Sequence, residues 1–203
     1  MDTLKRTVLF DEHIKLKATM VDFGGWEMPV NYPQGIVEEH LYTRKKAGIF
    51  DVSHMGRFKI TGKEAVAYLQ YVLTSNVLAL DVKQAQYTII PNENGGAIDD
   101  AYLYRFHEDE YTLVVNAANA DKDWAHLAEV IKSFDAKIEN HSEDTALISI
   151  QGPDSKNILA KLADDPNLTE PVKNALNTIR LNGKDVLIAK TGYTGEPLGF
   201  ELF

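Results

Sequence analysis

The spacing of apolar residues changes abruptly near the middle of this chain, and that change excludes both an all-helical bundle and a regularly alternating α/β sheet. From Lys63 to Leu73 the positions Ala65, Val66, Leu69, Val72 and Leu73 make a helical stripe. From Gln86 the period falls to two. Tyr87 to Ile90 reads as a strand, the segment from Pro91 to Gly96 (Pro-Asn-Glu-Asn-Gly-Gly) as a turn, and Ala97 to Phe106 as the returning strand. After a polar turn at His107 to Glu110, Tyr111 to Val115 extends the antiparallel meander. Asn119 or Asp121 then caps a helix with Trp124, Leu127, Ala128, Ile131 and Phe134 inward.

The flanks repeat the mixture. A helix is expected over Gln34 to Lys46, with Ile36, Val37, His40, Leu41 and Arg44 at helical spacing and Gly48 beyond its basic end. Arg57 to Thr61 reads as a short strand. Thr145 to Ile150 is strand-like, Gln151 to Pro153 turns sharply into a helix carrying Ile158, Leu159 and Leu162, and Asp164 to Glu170 is a polar loop. Thr178 to Leu181 and Asp185 to Lys190 form a hairpin around Asn182 and Gly183. Helices and hairpins intermix without regular alternation, so the class is α+β. The alternating stretch from Gly199 to Phe203 reads as a strand whose face and edge need partners. A fragment, completion by another chain, and a strand docked in its own sheet all satisfy that need.

Composition narrows function. The 203 residues hold no cysteine, which excludes disulfides, thiolate nucleophiles and Cys-ligated metals. A formal net charge of −9 disfavours nucleic acid as a partner, and the cluster Arg44 to Lys46 reads as a solvated helix end. No apolar run approaches the roughly 18–20 residues of a membrane span. No signal-peptide core is present near the first residues, so a cytoplasmic protein is expected.

Chemistry concentrates in Gly95-Gly-Ala-Ile-Asp-Asp-Ala-Tyr-Leu-Tyr-Arg-Phe106. Alternation puts Asp99 with Ala97, Ala101 and Leu103, and Asp100 with Ile98, Tyr102, Tyr104 and Phe106. At least one carboxylate must share an apolar face, where hydrogen bonds or a basic ligand have to offset its burial. The competing reading is a turn acid that pairs with backbone amides. Asp51, Ser53 and His54 hold the ingredients of a hydrolase triad, but triads assemble across elements, and no nucleophile elbow accompanies them. Histidine spacing gives no metal site. The glycine-punctuated turn Thr191 to Glu196 would allow close backbone approach to a ligand, with Tyr193 as a flat contact.

Six segments in order carry a resemblance. They are Asp22-Phe-Gly-Gly-Trp-Glu-Met-Pro-Val30, Gly48-Ile-Phe-Asp-Val-Ser-His-Met-Gly56, Gly95-Gly-Ala-Ile-Asp-Asp100, Val114-Val-Asn-Ala-Ala-Asn119, Ile150-Gln-Gly-Pro153 and Thr191-Gly-Tyr-Thr-Gly-Glu196. Together they resemble the T-protein family of folate-dependent aminomethyltransferases from the glycine cleavage system, over Thr7 to the last residue. The resemblance implies a folate-binding fold with a discontinuous first domain, residues 1–50 and 140–203, an inserted second domain, residues 51–139, and a C-terminal barrel domain missing here. It implies transfer of a one-carbon unit from the aminomethyl-lipoyl H protein to tetrahydrofolate, with release of ammonia. Asp100 would be the catalytic carboxylate. Tyr87, Tyr102, Asn116 and Tyr193 would stack and hydrogen-bond, Met55 would pack, and Glu201 would grip the pterin edge.

The family pattern is one residue shorter between Glu196 and Glu201, and a one-residue shift reverses a side chain's face. The family's downstream arginine has no counterpart. The rival readings are a folate-dependent demethylase or oxidase domain and a truncated folate-binding module. A T-protein-like iron–sulfur assembly factor would carry a cysteine where this chain has Tyr193.

Overall fold

The structure, a computed structural model, describes residues 3–165 and 171–203. The loop expected from Asp164 to Glu170 therefore lies mostly outside the described residues. In chain order the elements are α1 (Phe10–Lys15), β1 (Thr19–Phe23), β2 (Trp26–Asn31), α2 (Ile36–Lys45), β3 (Gly48–Asp51), β4 (Gly56–Thr61), α3 (Ala65–Val72), β5 (Gln84–Pro91), β6 (Ala97–His107), β7 (Glu110–Val115), α4 (Ala120–Val130), β8 (Lys137–Asn140), β9 (Ile148–Gln151), α5 (Ser155–Leu162), β10 (Leu176–Leu181), β11 (Lys184–Ala189) and β12 (Gly199–Leu202). The class is α+β, with antiparallel sheets flanked by helices. No helix among the described residues is long and apolar enough to cross a membrane.

The chain divides into two compact units, Met1–His54 with Ala146–Phe203, and Met55–Thr145. The second is one five-stranded sheet in the order β5-β6-β7-β4-β8. Phe58, Ile60, Leu103, Leu113 and Val115 from its strands pack against Tyr68, Leu69 and Val72 of α3 and Leu127 of α4. Each such side chain, fully buried, stabilises the fold by about 1.5–3 kcal/mol. The meander is built as the alternation dictates, with β5, β6 and β7 antiparallel in succession. Arg57 opens β4 almost wholly buried. Its guanidinium donates to the carbonyls of Met55, Ser142 and Thr145, tying together both ends of this unit.

The first unit contains the β1–β2 hairpin and a five-stranded sheet ordered β10-β11-β12-β9-β3. Ile150, Leu159, Ile179, Ile188 and Phe200 form its core. The β10–β11 hairpin turns at Asn182 and Gly183, with φ of 49° and 77°, a backbone that a two-residue loop demands and these residues tolerate. β12 finds both its partners, β11 and β9, inside this sheet. β3 pairs with β9 although about a hundred residues separate them.

One expectation changes. Ile36, Val37 and Leu41 of α2 are exposed and Thr43 is buried, so helical spacing does not mark the packed face. That face approaches through backbone: a Cβ at Gly152, whose φ is 119°, would overlap the Thr43 carbonyl oxygen. Asp51 accepts from Thr7 Oγ1 at 2.6 Å and from the Ser53 amide at 3.0 Å, and His13 Nε2 lies 3.0 Å away. Burial would raise the Asp51 carboxyl, but the hydrogen bonds from Thr7, Ser53 and His13 hold it below its usual value. The His54 ring meets Phe23 edge-on.

Candidate functional site

In the second unit β6 carries the two adjacent acids onto opposite faces. Asp99 is buried on the core side with Ala101 and Leu103, whereas Asp100 is half-buried on the face of Tyr102 and Tyr104. Ile98, which strict alternation puts beside Asp100, packs against the core instead. The β5–β6 register shifts here, between Ile90 and Pro91, and such a bulge re-aims a side chain.

The Asp100 face is aromatic. Tyr87 stands opposite Tyr102 across the strands, with ring centroids 6.3 Å apart and edge-to-face. Tyr102 lies 5.5 Å from Tyr104, which stacks at 6.0 Å on Phe106. The Tyr87 hydroxyl is raised above its usual value, first by its hydrogen bond to Asp100.

Asn116 joins the two acids. It follows β7 directly, and its Nδ2 donates to Asp100 Oδ1 at 3.0 Å, to the Asp100 carbonyl at 3.2 Å and to Asp99 Oδ1 at 3.0 Å. A 3₁₀ turn over Ala117–Asn119 follows, and residues three apart in such a turn share a side. Asn119 therefore also aims at Asp99 Oδ1, donating at 2.9 Å. The sequence reads Asn119 or Asp121 as a helix cap, yet α4 has no side-chain cap. Burial raises Asp99, but hydrogen bonds from Asn116, Asp123 and Asn119 outweigh it and hold the carboxyl below its ordinary value.

Asp123 enters this cluster without any mark in the motif pattern. It is fully buried. Its position one turn before Leu127 and two before Ile131 was the available signal, an acid on the inward stripe of α4.

The first unit holds a second polar group. Glu201 pairs with Ser149 and lies on the face opposite Phe200. It is buried, and Thr191 Oγ1 donates to its Oε2. Gln151, on the same face, donates to Ser149 Oγ at 3.0 Å and the Thr191 carbonyl at 3.1 Å, and accepts from Thr194 Oγ1 at 2.8 Å. Gly192 and Gly199 leave it room, since a Cβ at either would overlap the Gln151 amide. The Thr191–Glu196 turn is thus wrapped around one glutamine and anchored by an ion pair between Glu196 and Arg44. Tyr193 stands exposed on that turn.

Residues 9–203 match the family described as the GCVT N-terminal domain. The chain belongs to the GCVT N-terminal domain family. An aminomethyltransferase of Thermus thermophilus is 48% identical over 200 residues, which cover 98% of this chain and 56% of that protein. One from Thermotoga maritima is 44% identical over 199 residues, covering 98% and 54%. The crystal structure of glycine cleavage system aminomethyltransferase T from Bartonella henselae superposes with a TM-score of 0.89 at 36% identity, covering 98% of this chain and 53% of that one. The heterotetrameric sarcosine oxidase of Corynebacterium sp. U-96 reaches a TM-score of 0.54 at 17% identity, covering 77% and 74%, a likeness of fold alone. The GCVT chain described here spans about half the length of the curated relatives it matches.

Within this GCVT domain Asp100, Tyr87, Tyr102 and Asn116 come together in the second unit. Tyr193 and Glu201 belong to the first. Met55 is half-buried at the start of β4, and the described hydrogen bonds tie its carbonyl to Arg57 rather than to the Asp100 group.

Proposed function

We propose that this chain supplies the folate-binding, amine-activating part of a cytoplasmic tetrahydrofolate-dependent aminomethyltransferase of the glycine cleavage system. The observation that carries this reading is the half-buried Asp100 carboxylate, gripped by Asn116 and Tyr87 on an aromatic strand face. A flat, amine-bearing ring suits such a face: the tyrosines offer stacking, and the carboxylate offers an acceptor beside a nitrogen that must lose its proton.

The reaction proposed starts from the aminomethyl group on the lipoyl arm of H protein. The carbon–sulfur and carbon–nitrogen bonds of that group break, and two carbon–nitrogen bonds form to the folate amines. The two amine protons leave, one to the lipoyl thiolate and one to the departing ammonia. Asp100 orients the folate amines and relays a proton between them and the leaving group. Tyr87, Tyr102 and Asn116 hold ring and carboxylate in register. Glu201, Tyr193 and Met55 keep the roles the family resemblance gives them, with Glu201 accepting two adjacent pterin N–H groups. The relatives at 44–48% identity are aminomethyltransferases, and this favours the reading over a demethylase or oxidase domain.

Isothermal titration of tetrahydrofolate into the wild-type chain, Asp100→Asn and Glu201→Gln tests the site. Each variant is expected to bind at least about tenfold more weakly, as the loss of a charge-assisted hydrogen bond implies. Indistinguishable binding by all three would remove both residues from the proposal. Full turnover is expected only with lipoylated H protein as donor, and methylated amines should give no product.

A further inference from the structure

Beneath Asp100 lies a buried carboxyl group that the proposed reaction does not use. Asp123 on α4 is fully buried, and neither of its oxygens meets a hydrogen-bond donor among the described residues. The group it faces, within hydrogen-bond reach, is the carboxyl of Asp99 on β6, whose Oδ2 likewise has no donor among the described residues. Two ionised carboxylates can only accept, and in a buried contact they repel. A single proton placed between them turns one into a donor and removes the repulsion.

We propose that Asp123 is a protonated carboxylic acid that donates to Asp99, and that this carboxyl pair, acting through Asn116, positions Asp100. The inference rests on the reading of Asp100 as the amine-facing acid. Asp99 is the fixed point of the arrangement. Its Oδ1 is already taken by Asn119 at 2.9 Å and Asn116 at 3.0 Å, leaving Oδ2 to receive the Asp123 proton. Asn116 directs the same amide nitrogen to Asp99 Oδ1 and to Asp100 Oδ1, so the place of Asp99 fixes the amide and the amide fixes Asp100. Asp123 is therefore a positioning residue, three hydrogen bonds removed from Asp100 on the reacting face.

The charged neighbours agree. Burial, the hydrogen bond to Asp99 and the charge of Asp99 push Asp123 up to about 8; Lys122 pulls it down and Asp100 adds to the rise. Lys122 does not neutralise the pair by direct contact, because its Nζ donates to the Ile98 carbonyl at 2.7 Å. Among the described residues no group of side chains is arranged to hold a metal ion. Asparagine at 123 would keep the shape and supply an N–H toward Asp99, whereas alanine would leave Asp99 Oδ2 unsatisfied.

Infrared difference spectroscopy on the wild-type chain, with aspartate carboxyl carbons isotopically labelled, reads the proton without ligand. A protonated-carboxyl band is expected at pH 6, fading as pH rises through about 8, and absent in Asp123→Asn. Its absence at pH 6, or its survival in that variant, overturns the proposal, whether or not alanine at 123 folds. Tetrahydrofolate titration supplies the second arm. Asp123→Ala is expected to bind about tenfold more weakly, and Asp123→Asn to recover most of that loss. Equal weakening by both, or no weakening by alanine, overturns the positioning role. Failure of the Asp100 reading would appear separately, as an unchanged affinity in Asp100→Asn with the band intact.

Discussion

Asp99 and Asp100 are neighbours in sequence with opposite fates, because a strand sends adjacent side chains to opposite faces. That much follows from alternation alone, and so does the aromatic company of Asp100. What alternation does not reveal is the partner beneath. Asp123 reads as one more polar residue on a charged helix start until its phase relative to Leu127 is considered, and Asn119 reads as a cap because Asn in that position usually caps. Likewise Thr7 and His13 carry no motif, yet with Ser53 they satisfy the buried Asp51 across a separation no local pattern reports. Asp51 is held below the usual carboxylate value, so its stabilising effect is present above about pH 4 and is lost as pH falls through the folded value. Thr7→Val is expected to cost about 1.5–3 kcal/mol at pH 7, and clearly less at a pH acid enough to protonate Asp51 in the folded chain. Urea unfolding at the two pH values measures this; an equal cost at both would show that Thr7 acts through packing rather than through the carboxylate.

Among the elements, the best marked in the sequence are those with internal punctuation. The β5–β6–β7 meander and the β10–β11 hairpin are bounded by turn residues whose backbone needs are specific: Gly95 at φ 79°, Asn182 at 49° and Gly183 at 77°. Less legible are β3, β8 and the β1–β2 hairpin, short strands whose identity depends on a distant partner rather than on their own pattern. Helix α2 was legible as a helix but not as to which side packs, because glycine-mediated backbone contact replaces a hydrophobic stripe. The hairpin turn offers a clean measurement. Nothing crowds a Cβ at Gly183, so Gly183→Ala tests backbone conformation alone. It is expected to destabilise the chain by about 1–2 kcal/mol, the price of a left-handed backbone for a residue with a side chain. A denaturation midpoint unchanged from wild type would mean that the turn relaxes to another type.

For the whole molecule, the decisive property is where the two units are cut from the sequence. Residues 55–145 are contiguous, pair all five strands of their sheet among themselves, and enclose their own core. Expressed alone, this segment is expected to unfold cooperatively on heating, with circular dichroism showing strand and helix together; a featureless, non-cooperative melt would show that its core is insufficient. The other unit offers no such excision, since β3 and β9 come from opposite sides of the insertion. Among the described strands its β10–β11 hairpin is joined to the β9–β3 pair by β12, residues 199–202, which lies between them. During synthesis, then, the ribosome can release the middle segment ready to fold, while the flanking half must wait, its sheet open down the middle, until the four residues that bridge it emerge.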